Sequence, residues 1–122
     1  MAKTILSVDD SASMRQMVKL TLAAAGYDVI EACDGNQGLA TARGRAVDMV
    51  LTDLNMPGMD GVSLIRELRK LPTYTGIPII LLTTESDAIR KQEAKSAGAT
   101  GWITKPFQPE QLVSVAKKVI GQ

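Results

Sequence analysis

The sequence predicts an α/β fold, a doubly wound parallel sheet with helices on both faces. Three observations point there. Short apolar, β-branched-rich runs recur along the 122 residues, helical stripes alternate with them, and polar residues gather where the runs end. Ile5-Leu6-Ser7-Val8, Met49-Val50-Leu51 and Ile77–Leu82 are nearly continuous in apolarity, as strands buried on both faces are. Weaker runs at Asp28-Val29-Ile30 and Gly101-Trp102-Ile103-Thr104 supply two further strands.

The intervening segments read as helices. Met14, Met17, Val18 and Leu22 recur at helical spacing after Ser11 or Ser13 as N-cap, with Gly26 at the far end. Leu64, Ile65, Leu68 and Leu71 form a second stripe. Leu112, Val113, Ala116, Val119 and Ile120 form the last, with Pro109 in its first turn. Residues near 36–44 and 86–97 are poorer helices. The second of these offers only Ala88, Ile89, Ala94 and Ala97 as a small buried face, opposite Arg90, Lys91, Glu93 and Lys95. Strict alternation of strand and helix makes the crossovers right-handed and the sheet parallel.

Composition narrows the chemistry. A chain of this length fits one domain, 1–122, against a prior of roughly 150 residues per domain, and buries about two-thirds of its unfolded surface without a staple. Lys and Arg number 14 against 13 Asp and Glu, a net charge of +1, which removes the electrostatic case for nonspecific nucleic-acid or anionic-membrane binding. There is no histidine and a single cysteine, Cys33. Ser-His-Asp and Cys-His catalysis, histidine metal sites and internal disulfides are therefore excluded. Cys33 reads as a small packing residue. No apolar run approaches the ~18 residues of a membrane span, and the expected location is the cytoplasm. Chemistry falls to carboxylates, hydroxyls, lysine and a metal.

In open α/β sheets the site lies beyond the carboxyl ends of the strands. Those ends carry Asp9-Asp10, Asp53, Thr83-Thr84 and Lys105-Pro106. Solvated strand ends and caps explain any one of them; they explain the set poorly. Converging carboxylates repel and raise one another's pKa unless a cation offsets them. With only oxygen ligands on offer, that cation is a hard one such as Mg2+. Carboxylate nucleophile, divalent cation, lysine and hydroxyl donor are the parts that phosphoryl transfer requires. Asp60 and Gly61 read as a turn and helix start, and Arg66, Arg69 and Lys70 as the solvated face of a helix.

Asp9-Asp10, the segment Asp53-Leu54-Asn55-Met56-Pro57-Gly58-Met59-Asp60-Gly61, Thr83 and Lys105-Pro106-Phe107 resemble the receiver domain of two-component response regulators. The likeness runs from Lys3 to the final helix and is nearest the stand-alone chemotaxis, CheY-like type, which Ser13-Met14-Arg15-Gln16-Met17-Val18 also resembles. Five short motifs in order are specific where each alone is weak.

The resemblance implies a flavodoxin-like strand order of 2-1-3-4-5. It implies Asp53 as phosphoacceptor from a phosphohistidine on a partner histidine kinase. Asp10, Asp53 and the Asn55 carbonyl would ligate Mg2+, Asp9 helping through water. Lys105 and the Thr83 hydroxyl would contact the phosphoryl oxygens. Trp102, at a position usually Tyr or Phe, would switch with Thr83, and Thr84 is bulkier than the usual neighbour. Asn55 and Glu85 would tune a slow self-dephosphorylation. Lys105-Pro106 would be a cis peptide. The implied chain is a monomer whose output is protein contact, with a flagellar motor switch protein and a phosphatase as partners, and with no nucleic acid or membrane among them. The missing histidine then belongs to the partner.

Other functions compete for the same residues. A phosphate sink, a non-chemotaxis receiver or a receiver used as a scaffold shares the site residues. An aspartyl-phosphate phosphohydrolase wants a general acid two residues beyond the nucleophile, where Asn55 cannot transfer a proton. A flavin-binding protein on this sheet wants a hydroxyl- and glycine-rich phosphate loop after the first strand, where Asp9-Asp10 repel phosphate.

Overall fold

The structure is a computed structural model and describes residues 2–84 and 88–121. Five parallel strands, β1 (Thr4–Val8), β2 (Asp28–Ala32), β3 (Met49–Asp53), β4 (Ile79–Thr83) and β5 (Gly101–Thr104), stand in the order 2-1-3-4-5. Between them run α1 (Ala12–Ala24), α2 (Gly35–Gly44), α3 (Gly61–Arg69) and α4 (Ala88–Ala97), and α5 (Pro109–Ile120) closes the chain. A 3-10 turn over Pro72–Tyr74 links α3 to β4.

The three strongest apolar runs became the three central strands. β1, β3 and β4 are buried at every residue, whereas β2 and β5 lie at the edges with mixed exposure. Alternate strand residues feed two cores. Leu6, Val8, Val50 and Leu81 pack with Leu64, Ile65 and Leu68 of α3. Ile5, Met49, Leu51 and Leu82 pack with Val18 and Leu22 of α1 and Leu112 and Ala116 of α5. Each fully buried Leu or Ile contributes about 1.5–3 kcal/mol relative to exposure, so the sheet is a rigid platform for whatever its edge carries.

Ser11, not Ser13, caps α1: its side chain accepts from the Met14 N–H at 3.2 Å. Gly26 follows the helix at φ 99°. Three sequence expectations need correction. The apolar run Ile77–Leu82 reads as one strand, but β4 begins at Ile79. Pro78 has no N–H to give a ladder, and the Ile77 N–H turns back to the Tyr74 carbonyl. In α4, Ala88 and Ile89 are exposed, Ile89 at 79%. The inward stripe is Arg90, Ala94 and Ala97, because Arg90 turns toward α3 to ion-pair with Asp60. Cys33 is exposed rather than packed.

Candidate functional site

Register brings the acidic residues together. Val8 of β1 pairs with Thr52 of β3, so the next residues, Asp9 and Asp53, emerge side by side at the carboxyl edge of the sheet. Asp10 joins them, and one carboxylate oxygen from each lies within 4.8 Å of the others. Thr83 of β4 pairs with Thr104 of β5, and the Lys105 N–H donates to the Thr83 carbonyl at 2.6 Å. That bond carries the Lys105 side chain back to the centre, where Nζ meets Asp53 Oδ1 at 2.6 Å. The Lys105-Pro106 peptide is cis.

Asp9 is held from several directions. Its N–H donates to the Ala32 carbonyl, its Oδ1 accepts from the Ser11 N–H at 2.9 Å, and it is buried. Burial pushes its carboxyl above the usual range, and the Asp53 and Asp10 charges add to that; the Ser11 N–H and the Lys105 charge oppose it. Its other oxygen, Oδ2, is buried with no hydrogen-bond partner among the described residues. An orphaned carboxylate oxygen inside a cluster of three carboxylates facing one ammonium is a poor end state for a protein alone. It suits a hard divalent cation with oxygen ligands, and the donor set present here fits Mg2+.

The glycine after Asp60 serves the same place. A Cβ on Gly61 would stand 2.5 Å from the Asp53 carbonyl oxygen and 3.0 Å from Leu54 Cα, so α3 can start against the Asp53 backbone only at glycine. Asp60 caps this helix, its Oδ1 accepting from the Ser63 N–H at 2.9 Å. Asp60 also meets Arg90 of α4. Burial pushes the Asp60 carboxyl up. The hydrogen bonds from Ser63 and Arg90, with the Arg90 charge, outweigh that and hold it below the ordinary value.

The remaining residues singled out from the sequence take different positions. Thr83 is buried at the end of β4, and Asn55 is exposed on the wall of an open cavity shared with Met56, Pro57, Gly58, Asp60 and Arg90. Thr84 is exposed. Trp102 stands apart from the acidic cluster: it is 42% exposed, with Lys91 Nζ 5.6 Å from its ring centroid. Glu85 lies outside the described residues. Reading Arg69 as solvated was wrong, since its guanidinium donates to the carbonyls of Gly98, Tyr74 and Ile77. Sequence reasoning also gave no role to Arg15, whose Nη1 donates to the Asp9 carbonyl at 2.6 Å. Nothing in its spacing distinguishes it from a surface arginine.

A 2-1-3-4-5 sheet whose carboxyl edge sets an acidic cluster against a lysine is the architecture of a two-component signalling domain. Residues 5–117 match the family described as the response regulator receiver domain, and the chain belongs to that family. It is similar to the phosphate regulon transcriptional regulatory protein PhoB of Pseudomonas aeruginosa, 40% identical over 97% of this chain and 52% of that protein. The DNA-binding response regulator MtrA of Mycobacterium tuberculosis is 39% identical over 93% of this chain and 49% of its own. The chain thus spans about half the length of these curated relatives. Among solved structures, the chemotaxis response regulator CheY4 of Vibrio cholerae superposes with a TM-score of 0.93 at 44% identity, covering 98% of this chain and 99% of that one. The receiver domain of the sensor histidine kinase PA1611 from Pseudomonas aeruginosa, solved with a magnesium ion coordinated in its active site cleft, superposes at 0.91 and 29% identity over both full lengths.

Proposed function

We propose that the chain accepts a phosphoryl group on Asp53 from a phosphohistidine of a partner histidine kinase, in a Mg2+-dependent reaction. The observation that carries this is the 2.6 Å pairing of Lys105 Nζ with Asp53 Oδ1 beside two further carboxylates. An Asp53 carboxylate oxygen attacks phosphorus; the P–O bond forms as the P–N bond to the histidine breaks, and the imidazole nitrogen leaves with the bonding pair. Asp10, Asp53 and the Asn55 carbonyl, with Asp9, are the groups that would hold Mg2+, which when bound supplies positive charge to the phosphoryl oxygens. Lys105 neutralises charge on the acyl phosphate, and the Thr83 hydroxyl donates to one of its oxygens. The product adds roughly −1.5 to −2 of charge at one strand end. Thr83 and Trp102 then carry the change to the face formed by α4, β5 and α5. Asn55 and Glu85 set how fast water removes the group.

The output is protein contact, in chemotaxis and flagellar motor control, a reading supported by the likeness to CheY4, with a TM-score of 0.93 at 44% identity. A non-chemotaxis receiver is the second reading, and it is favoured by the identity to PhoB and MtrA. Pull-downs against flagellar switch proteins, with and without a phosphoryl mimic, separate the two.

Trp102 is the sole tryptophan and, as the proposed switch partner of Thr83, reports on the site at one remove. Mg2+ followed by beryllium fluoride is expected to change its fluorescence, and Asp53→Ala to abolish the change. A silent native chain, or an undiminished response in the variant, overturns the phosphoacceptor assignment.

A further inference from the structure

Arg15 sits on the first turns of α1 and reaches back past the acidic loop. Its Nη1 donates to the backbone carbonyl of Asp9 at 2.6 Å, and its Nε lies 3.5 Å from Glu31 Oε1 on β2. Glu31 in turn lies 3.5 Å from Lys19 Nζ, one α1 turn further on. The Arg15 side chain is only 18% exposed, so most of it is withdrawn from water along this bridge. Together with the Ala32 and Ser11 bonds, it occupies the Asp9 N–H, carbonyl and Oδ1. Oδ2 is the one polar atom of Asp9 left without a partner among the described residues.

We propose that Arg15 is a positioning residue for the divalent-cation site, locking the Asp9 peptide so that mutually repelling carboxylates stay convergent before the cation arrives. This rests on the reading of that site given above. Without the bridge, repulsion among Asp9, Asp10 and Asp53 is relieved by letting the β1–α1 loop move outward. The guanidinium opposes that movement because it is fixed at both ends, to a carbonyl of the loop and to a carboxylate of the neighbouring strand. Lysine offers a single charged group and cannot hold both ends with fixed geometry.

The direction of the effect separates positioning from simple charge. Arg15 is a cation close to a cation site, so removing its charge alone would tighten Mg2+ binding. Loss of positioning weakens it, by roughly 10–100-fold where an outer partner of a ligand is removed. The test is a Mg2+ titration of the full chain by calorimetry, for the unaltered protein, Arg15→Ala and Arg15→Lys. Urea unfolding without metal shows that each is folded under the binding conditions. Arg15→Ala is expected to bind roughly 10–100-fold more weakly, with Arg15→Lys between. Affinity equal to or tighter than the unaltered chain's, in either variant, overturns the inference alone, and Arg15→Lys decides it should Arg15→Ala not fold. No Mg2+ binding by the unaltered chain overturns the site reading as well, so the two failures are distinguishable.

Discussion

Arg69, at the end of α3, donates through both Nε and Nη2 to the carbonyl of Gly98, at 3.0 and 2.7 Å. Its Nη1 reaches the carbonyls of Tyr74 and Ile77 at 2.7 and 2.8 Å. One side chain thus ties α3, the 3-10 turn and the α4–β5 loop together. Gly98 permits it: its φ is +118°, and a Cβ there would stand 2.9 Å from Arg69 Cγ. Replacing Arg69 by Ala strands these carbonyls and is expected to cost about 2–4 kcal/mol. Gly98→Ala combines positive-φ strain with a clash, about 1–3 kcal/mol. Urea unfolding midpoints check both, and a loss below ~0.5 kcal/mol for Arg69→Ala would show that water replaces the clamp.

The sheet was legible because burial on both faces of a strand leaves a local mark, a continuous apolar run. Strand ends followed from those runs, and with them Asp9, Asp10, Asp53 and Lys105. What stayed hidden was the business of the arginines. Arg69 finds Gly98 across 29 residues and Arg90 finds Asp60 across 30. A guanidinium aimed at a distant carbonyl or carboxylate has the same local spacing as one left in water. The thin apolar content of α4 was visible; that the helix turns Ile89 outward to let Arg90 face α3 was not, because that choice is made by Asp60 on another element.

Gly61→Ala is expected to disturb the site and the fold together. The new Cβ would meet the Asp53 carbonyl oxygen at 2.5 Å, and backbone on both sides leaves no flexible end to give way. A destabilisation of about 1–3 kcal/mol follows from overpacking, with a reduced beryllium fluoride response of Trp102 at saturating Mg2+. A full response in a folded variant would show that α3 can retreat without moving Asp53.

Asp60 sets a pH dependence of known sign. Its folded pKa lies below the ordinary value, despite burial, through the Ser63 and Arg90 bonds. Such a group contributes stability that is present above its unfolded pKa of about 3.9 and is lost as pH falls through the lower folded value. Asp60→Ala is expected to cost about 1 kcal/mol at pH 7, mostly as a lost helix cap, since half-exposed ion pairs add little. Below about pH 4 the gap between the two proteins should narrow. Urea midpoints at pH 7, 5, 4 and 3 measure it, and a gap constant across the series would show that the carboxylate charge plays no part.

Asp9 has the opposite sign, and its substitution separates the stability of the fold from the readiness of the site. Burial and the neighbouring Asp53 and Asp10 charges raise its folded pKa. The advantage of the neutral carboxyl is therefore full below the unfolded pKa and is lost as pH rises through the folded one, where the charge that forms faces an Oδ2 with no hydrogen-bond partner among the described residues. Asp9→Asn removes that charge, so the metal-free variant is expected to unfold at a higher temperature than the unaltered chain at pH 7. Added Mg2+ should reverse the ranking. A ligand at 100 times its dissociation constant stabilises the folded state by about 2.7 kcal/mol, and the variant, with a weakened site, gains less from the same concentration. Thermal unfolding with and without Mg2+ reads both halves. If Asp9→Asn lowered the metal-free melting temperature, Asp9 would be a structural residue rather than one held at a cost for a cation.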